Sequence, residues 1–236
     1  MRSRFCGPLL LRVLHQSRKI GRVLGSHVLL EAGVRLASVV PETGETQTEM
    51  LKRRRDGTMI AFLALIPLRC RALASLTIDD SICFLSDRIQ ISLSEDMTKR
   101  GVPWDTTVPD CIVELLRDYR DHVRPELMKQ AKTRHEFFWV GCRGVPYQAN
   151  YLSKRIAGIT EQTTGIRITP HLFRDSAATT LSRLSPDAAR LIPPVLAHSG
   201  NRTAERHYIH ADSIHAGREL ASVVQGLKKG RGAKSR

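Results

Sequence analysis

The sequence predicts a mainly α-helical fold with one small antiparallel β-sheet, and three observations predict it. β-Branched and aromatic residues crowd between Ser81 and Val108, around the turn signal Lys99-Arg100-Gly101. From Pro109 onward the apolar residues change to helical spacing, with Ile112, Val113, Leu115, Leu116, Tyr119 and Val123 on one face. Further on, Pro170 stands where a helix opens, since proline's fixed φ and missing N–H suit a first helical position.

In chain order, residues 1–40 read as helix and Pro41–Gln47 as a polar linker or loop. The basic cluster Lys52–Arg55 follows. Asp56 then reads as the N-cap of an apolar helix, Met59–Ile66, which Pro67 ends or kinks. Ser81–Leu85, Ile89–Leu93 and Val102–Val108 read as strands, with Lys99 near a hairpin tip. Phe137–Val140 is a short extended segment. Helices are expected at Tyr151–Thr163, His171–Leu184, Asp187–Ala197 (interrupted by Pro193-Pro194), Thr203–Tyr208 and Ser213–Leu227. No internal repeat is visible. Tyr119, Tyr147 and Tyr151 read as packing residues.

Charge bounds the function. Against 37 Lys and Arg stand 23 acidic residues, a formal net charge of +14 over 236 residues. The tail from Lys228 to Arg236 carries part of this excess, but the rest of the chain is basic too, which calls for a polyanionic partner such as nucleic acid. Five scattered cysteines show neither CxxC nor Cys/His metal spacing, so they read as reduced thiols of a cytoplasmic protein. The apolar run Pro8–Leu11 is too short for a signal sequence or a membrane span. No cofactor and no metal site is expected.

The chemistry concentrates in a few residues. In Thr169-Pro-His-Leu-Phe-Arg-Asp175, His171 and Arg174 fall three apart in the first turns of a helix. An imidazole and a guanidinium fork at the positive end of a helix suit a phosphate. Downstream, Tyr208 follows His198 by ten residues in Ala197-His-Ser-Gly-Asn-Arg-Thr-Ala-Glu-Arg-His-Tyr208. Upstream, an apolar helix delivers Arg69 at its end, and between them lies Thr98-Lys99-Arg100-Gly101.

Arg69, Lys99, His171-x-x-Arg174, His198 and Tyr208, in that order, resemble the active-site series of the tyrosine recombinase (phage integrase) family. Leu68-Arg69 with Leu73 resembles the first-arginine motif, a register that favours Arg69 over Arg71. The resemblance covers about residues 50–227 and implies a catalytic domain that cuts and rejoins double-stranded DNA. By that resemblance Tyr208 is the nucleophile of a 3′-phosphotyrosyl link, Arg69 and Arg174 clamp the non-bridging oxygens, and His198 adds a hydrogen bond. Lys99 then protonates the leaving 5′-oxygen, and His171 takes the proton of Tyr208. It also implies self-association on DNA as a synaptic tetramer, with Ser213–Leu227 as the helix offered to a neighbour.

Two positions depart from the pattern: Ala72 stands where many members have Glu, and Asp175 where many have His. The expected organisation is residues 1–50 as a short helical segment and linker, matching little of a core-binding domain, 51–227 as the catalytic domain, and 228–236 as a basic tail. The alternatives are a truncated DNA-binding remnant of a mobile element and an enzyme of the type IB topoisomerase kind, which the HxxR and His series disfavours.

Overall fold

The computed structural model describes residues 23–40, 44–99, 101–196 and 206–232, with side-chain surroundings in the last stretch described over 216–229. Its architecture is the expected one, helices around a three-stranded antiparallel sheet of order β1-β2-β3. The part of residues 1–40 that is described holds one helix, α1 (Ser26–Ser38), while residues 1–22 lie outside the described residues.

The central helix α2 (Gln47–Leu65) starts well before the predicted point. Thr46 is its N-cap: the Glu49 amide donates to the Thr46 hydroxyl at 3.2 Å, and the Thr46 amide donates to the Glu49 carboxylate at 3.0 Å. That reciprocal cap lies within the stretch read as a linker, so Asp56 is no N-cap but sits in mid-helix, 2% exposed. From Met59 to Leu65 every side chain is buried, which makes α2 the axis of the core. It packs antiparallel against α1 at very short range. A Cβ on Gly33 would stand 2.4 Å from the Ala61 nitrogen, and one on Gly57 2.3 Å from the Ala37 nitrogen. Only glycine permits that approach.

The sheet follows the period-2 pattern. β1 (Ile82–Phe84) pairs with β2 (Ile89–Leu93), and β2 with β3 (Trp104–Thr107), so that Ile82 faces Ile91 and Leu93 faces Trp104. Ile89, Ile91 and Leu93 are buried while Gln90 and Ser92 between them are half-buried. The long helical run after Pro109 is composite: a 3₁₀ turn, α4 (Val113–Asp118), a π-helical turn over Tyr119–Val123, and α5 (Arg124–Met128). Pro125 has no N–H to give the ladder, and the π turn lies just ahead of it. The turn still presents Tyr119 inward, where its ring meets Trp139 at 4.9 Å and its hydroxyl donates to the Phe138 carbonyl at 3.0 Å. Phe137 and Val140 form only isolated bridges, to Thr77 and Pro146.

Helix α6 (Ala149–Thr164) ends at Gly165, whose φ of 73° supplies the left-handed cap. Helix α7 (Pro170–Leu184) opens at the expected proline. The predicted Asp187–Ala197 helix is instead two short ones, α8 (Pro186–Ala189) and α9 (Ile192–Val195), each carrying proline at its start. Nothing between Ile209 and Asp212 breaks a helix, and one helix, α10 (Arg206–Gly232), replaces the two predicted. Ala216, Leu220 and Val224, four apart, form a buried stripe where α10 packs on β3, α1 and α9. In this chain the stretch expected to be passed to a neighbour is thus docked on its own body. Among the described residues no helix is long and apolar enough to cross a membrane.

Candidate active site

Arg69 owes its position to a proline. Helix α2 stops at Leu65, and Pro67 cannot continue it, so the chain turns through Leu68 and re-enters helix as α3 (Cys70–Ser75). Arg69 is the extended N-cap of α3 (φ −65°, ψ 144°), and its carbonyl accepts from the Leu73 amide at 2.9 Å. Next to it, the Cys70 thiol donates to the Ala149 carbonyl at 2.9 Å, and burial pushes its pKa up to about 11. That thiol packs the start of α3 against the start of α6 and is unreactive at neutral pH.

Arg174 lies one turn into α7, after the extended N-cap Thr169 and the exposed His171. Its side chain sinks into the body, leaving the residue 7% exposed. Nη1 donates to the Pro67 carbonyl at 2.8 Å and Nη2 to the Leu196 carbonyl at 2.6 Å. Burial first, and then the charge of Arg69, bring its pKa down to about 10, while Asp175 pulls in the other direction. The charge of the half-buried Arg69 thus reaches the buried Arg174 guanidinium, a field that favours an anion. Arg71, the competing register, is exposed and turned elsewhere: its charge acts on Asp96, whose carboxyl is lowered chiefly by the Ser94 hydroxyl.

The remaining expected residues are less fully described. Lys99 is exposed in the segment joining β2 to β3, after a 3₁₀ turn over Glu95–Met97. Thr98 ties that loop, its hydroxyl donating to the Glu95 carbonyl at 3.1 Å and accepting from the Val102 amide at 3.0 Å. His198 lies outside the described residues. Tyr208 falls in the first turn of α10, with its side-chain surroundings outside the described residues. The structure thus brings Arg69 and Arg174 together, with His171 on the helix that carries Arg174.

Two anchors hold the chain that enters the His198 segment. One is Arg174 on the Leu196 carbonyl; the other is Trp104, whose indole N–H donates to the Pro194 carbonyl at 2.9 Å. The sequence reading missed Trp104. The available signal was a tryptophan at the head of a strand just after the Lys99 turn. Of the departures noted above, Ala72 is fully packed at 2% exposed, and Asp175 provides a negative charge that acts on Arg174. Among the described residues no group of three or more His, Cys, Asp or Glu is placed to hold a metal ion.

A profile of the phage integrase family matches residues 44–215, which takes in Arg69, Lys99, His171, Arg174, His198 and Tyr208. The chain belongs to the phage integrase family. A curated relative, tyrosine recombinase XerC of Bacillus subtilis (strain 168), is 26% identical over 157 residues, 66% of this chain and 49% of the relative. The chain therefore spans about half the length of that relative. The crystal structure of XerA recombinase resembles it with a TM-score of 0.51 at 20% identity, covering 84% of this chain and 61% of XerA. XerH site-specific recombinase bound to its difH substrate, in a pre-cleavage complex, gives a TM-score of 0.52 at 16% identity over 76% of this chain and 47% of XerH. A post-cleavage XerH complex on palindromic difH gives 0.52 at 14% identity over 92% and 53%. At these identities the likeness is one of fold, and it agrees with the helix-and-small-sheet architecture read from the sequence.

Proposed function

We propose that this chain is the catalytic unit of a site-specific recombinase that breaks and rejoins DNA strands by transesterification through Tyr208, with the unit lying within about residues 51–227. The observation that carries this reading is the pairing of Arg69 with the buried Arg174, inside a family match that spans all six expected site residues. The complexes of XerH with difH support DNA as the partner.

In the proposed reaction the Tyr208 phenolic oxygen attacks the scissile phosphorus and its proton passes to His171. A 3′-phosphotyrosyl bond forms as the bond from phosphorus to the 5′-oxygen breaks. Lys99 gives that oxygen a proton, leaving a free 5′-hydroxyl. Charge grows on the non-bridging oxygens in the transition state, where Arg69 and Arg174 receive it and His198 adds a donor. Donors fixed in advance in a water-poor place contribute on the order of 3–4 kcal/mol each. No step needs a metal, because the two guanidinium groups supply the positive charge. Strand exchange would be completed by copies of the chain assembled on DNA as a synaptic tetramer.

A pool of nicked duplexes with randomised flanks tests this reading, because loss of the short nicked strand traps the covalent step. The expected result is a denaturant-stable adduct, undiminished by EDTA and absent for Tyr208→Phe, whose binding to DNA stays within about threefold since phosphate contacts are untouched. An adduct formed by Tyr208→Phe, or none by the wild-type chain, overturns it.

A further inference from the structure

Residues 94–103 join β2 to β3, far more chain than the about two residues a tight hairpin needs. Lys99 is exposed near the middle of this stretch, but the chain leading to it is fixed at several points. The Ser94 hydroxyl donates to Asp96 Oδ1 at 2.6 Å and closes the head of the 3₁₀ turn. The Met97 amide donates to the Ser94 carbonyl at 3.2 Å, and the Thr98 amide to the Glu95 carbonyl at 3.3 Å. Beyond Lys99 the Val102 amide comes back to the Thr98 hydroxyl, so the lysine sits inside a closed loop. Met97 is half-buried and packs against the core beneath. A lysine that served only as a surface charge would need no such mounting.

The turn is also aimed. It packs on α3, the short helix whose N-cap is Arg69. The two arginines at the start of that helix serve different partners: the charge of Arg69 reaches Arg174, and that of Arg71 reaches Asp96. The Asp96 carboxyl is held below the usual carboxylate range by the Ser94 hydroxyl first, then by the Asp96 and Met97 amides, with Arg71 adding its part. One carboxylate thus acts both ways, into its own turn and toward α3. Asp96 and Arg71 are exposed, so the link between them adds little to stability. What it biases is where the loop rests, and a reacting group held in place beforehand reacts faster.

We propose that Asp96 is a positioning residue for the proton transfer to the leaving 5′-oxygen. With Ser94 it shapes the turn, and through Arg71 it holds the turn beside α3, so that Lys99 stands next to the arginine pair. The inference rests on the recombinase reading and on Lys99 as the proton donor. In that step an N–H bond of the Lys99 ammonium breaks, its proton joins the 5′-oxygen as the bond to phosphorus breaks, and a neutral amine is left until solvent reprotonates it. Asp96 touches none of the reacting atoms and acts through the place it gives Lys99.

The test uses the nicked duplex recovered from the randomised pool, made with either oxygen or sulfur at the bridging 5′ position of the cleaved bond. A thiol, with an ordinary pKa of about 8.5, leaves as thiolate without needing a proton, so a residue that serves only proton donation loses its effect on the sulfur substrate. In single-turnover cleavage at saturating protein, Asp96→Ala should fall about tenfold on the oxygen substrate and less than about twofold on the sulfur one. Asp96→Asn keeps an acceptor for Ser94 but not the charge, and should fall about threefold on oxygen only, like Arg71→Ala. Lys99→Ala should lose about a hundredfold on oxygen and be restored by sulfur, whereas Arg174→Ala should stay slow on both. Equal losses of Asp96→Ala on the two substrates, or none on either, overturn the proposal. A Lys99→Ala defect that sulfur does not relieve, in a chain whose wild type still forms the Tyr208 adduct, removes Lys99 as donor and Asp96 with it but leaves the recombinase. No wild-type adduct on either substrate removes the recombinase reading itself.

Discussion

The guanidinium of Arg174 donates to the carbonyl of Pro67 at 2.8 Å, so the residue that terminates α2 also holds the arginine delivered by α7. Pro67 acts twice. Lacking an N–H it ends the helix, which turns Arg69 out of the α2 axis, and its carbonyl, freed from helical pairing, takes the Arg174 fork. The two arginines come from segments more than a hundred residues apart, and this junction is what relates them.

Arg69→Ala and Arg174→Ala should each lower single-turnover cleavage of nicked DNA by about a hundredfold or more, the loss of one transition-state donor. Arg71→Ala, facing Asp96, should lose less than about fivefold. Arg174→Lys keeps the charge but not the fork that spans two carbonyls, and should lose nearly as much as Arg174→Ala. A larger defect in Arg71→Ala than in Arg69→Ala would show that the register of α3 is misread.

The same pairing costs the fold stability. Folding lowers the pKa of Arg174 to about 10, so the charged form is disfavoured in the native state. That cost is present at every pH below the folded value and is relieved as pH rises from about 10 toward the higher ordinary value of a free guanidinium. Part of it comes from Arg69. Arg69→Gln should therefore melt a few degrees above wild type at pH 7, a gain of up to about 1 kcal/mol, although it is crippled in cleavage. The advantage should shrink above pH 10, where Arg174 loses its proton. A lower melting temperature for Arg69→Gln at pH 7 would contradict the repulsion.

What the sequence made legible follows from the range of each signal. The alternation of Ile89, Ile91 and Leu93 and the Pro170 start are local, and both hold in the structure. The start of α2 was misplaced because Asp56 looks like a cap when its neighbours are polar. Only the fold shows that Asp56 is buried against Arg55 and Arg155, the latter 99 residues away. The six candidate site residues are proposed from their order along the chain, and in the structure it is the charge of Arg69 that reaches Arg174. Trp104 escaped notice, and Tyr151, 64% exposed in the structure, reads as packing from the sequence, because an aromatic residue reads as core until its exposure or its hydrogen-bond partner is known.

Close packing of α1 on α2 gives a further expectation. Gly57→Ala gains helix propensity of up to about 1 kcal/mol but pushes a methyl against the Ala37 backbone. Backbone cannot swing aside as a side chain can, so overpacking should win, with a net loss of about 1–3 kcal/mol in urea unfolding. Gly226→Ala in α10, where a Cβ meets nothing within 4 Å, should be neutral or stabilising. Equal effects at the two positions would mean that the helices separate easily.

The anchors of the His198 segment yield the last prediction. Trp104, 4% exposed on β3, donates to the Pro194 carbonyl, and Arg174 donates to Leu196 two residues later. Trp104→Phe preserves most of the buried ring but leaves the Pro194 carbonyl without its donor, at a cost of about 1–3 kcal/mol. One pin then remains on the chain leading to His198, and small displacements of reacting groups are expensive in rate. Single-turnover cleavage should fall about tenfold while duplex affinity stays at the wild-type level, since no phosphate contact is lost. Stability alone could mimic this, so Gly57→Ala serves as the comparison: similarly destabilised, far from the anchor, and expected to cleave at the wild-type rate below its melting temperature. If Trp104→Phe cleaves as fast as Gly57→Ala, the indole N–H stabilises the fold only and does not position the site.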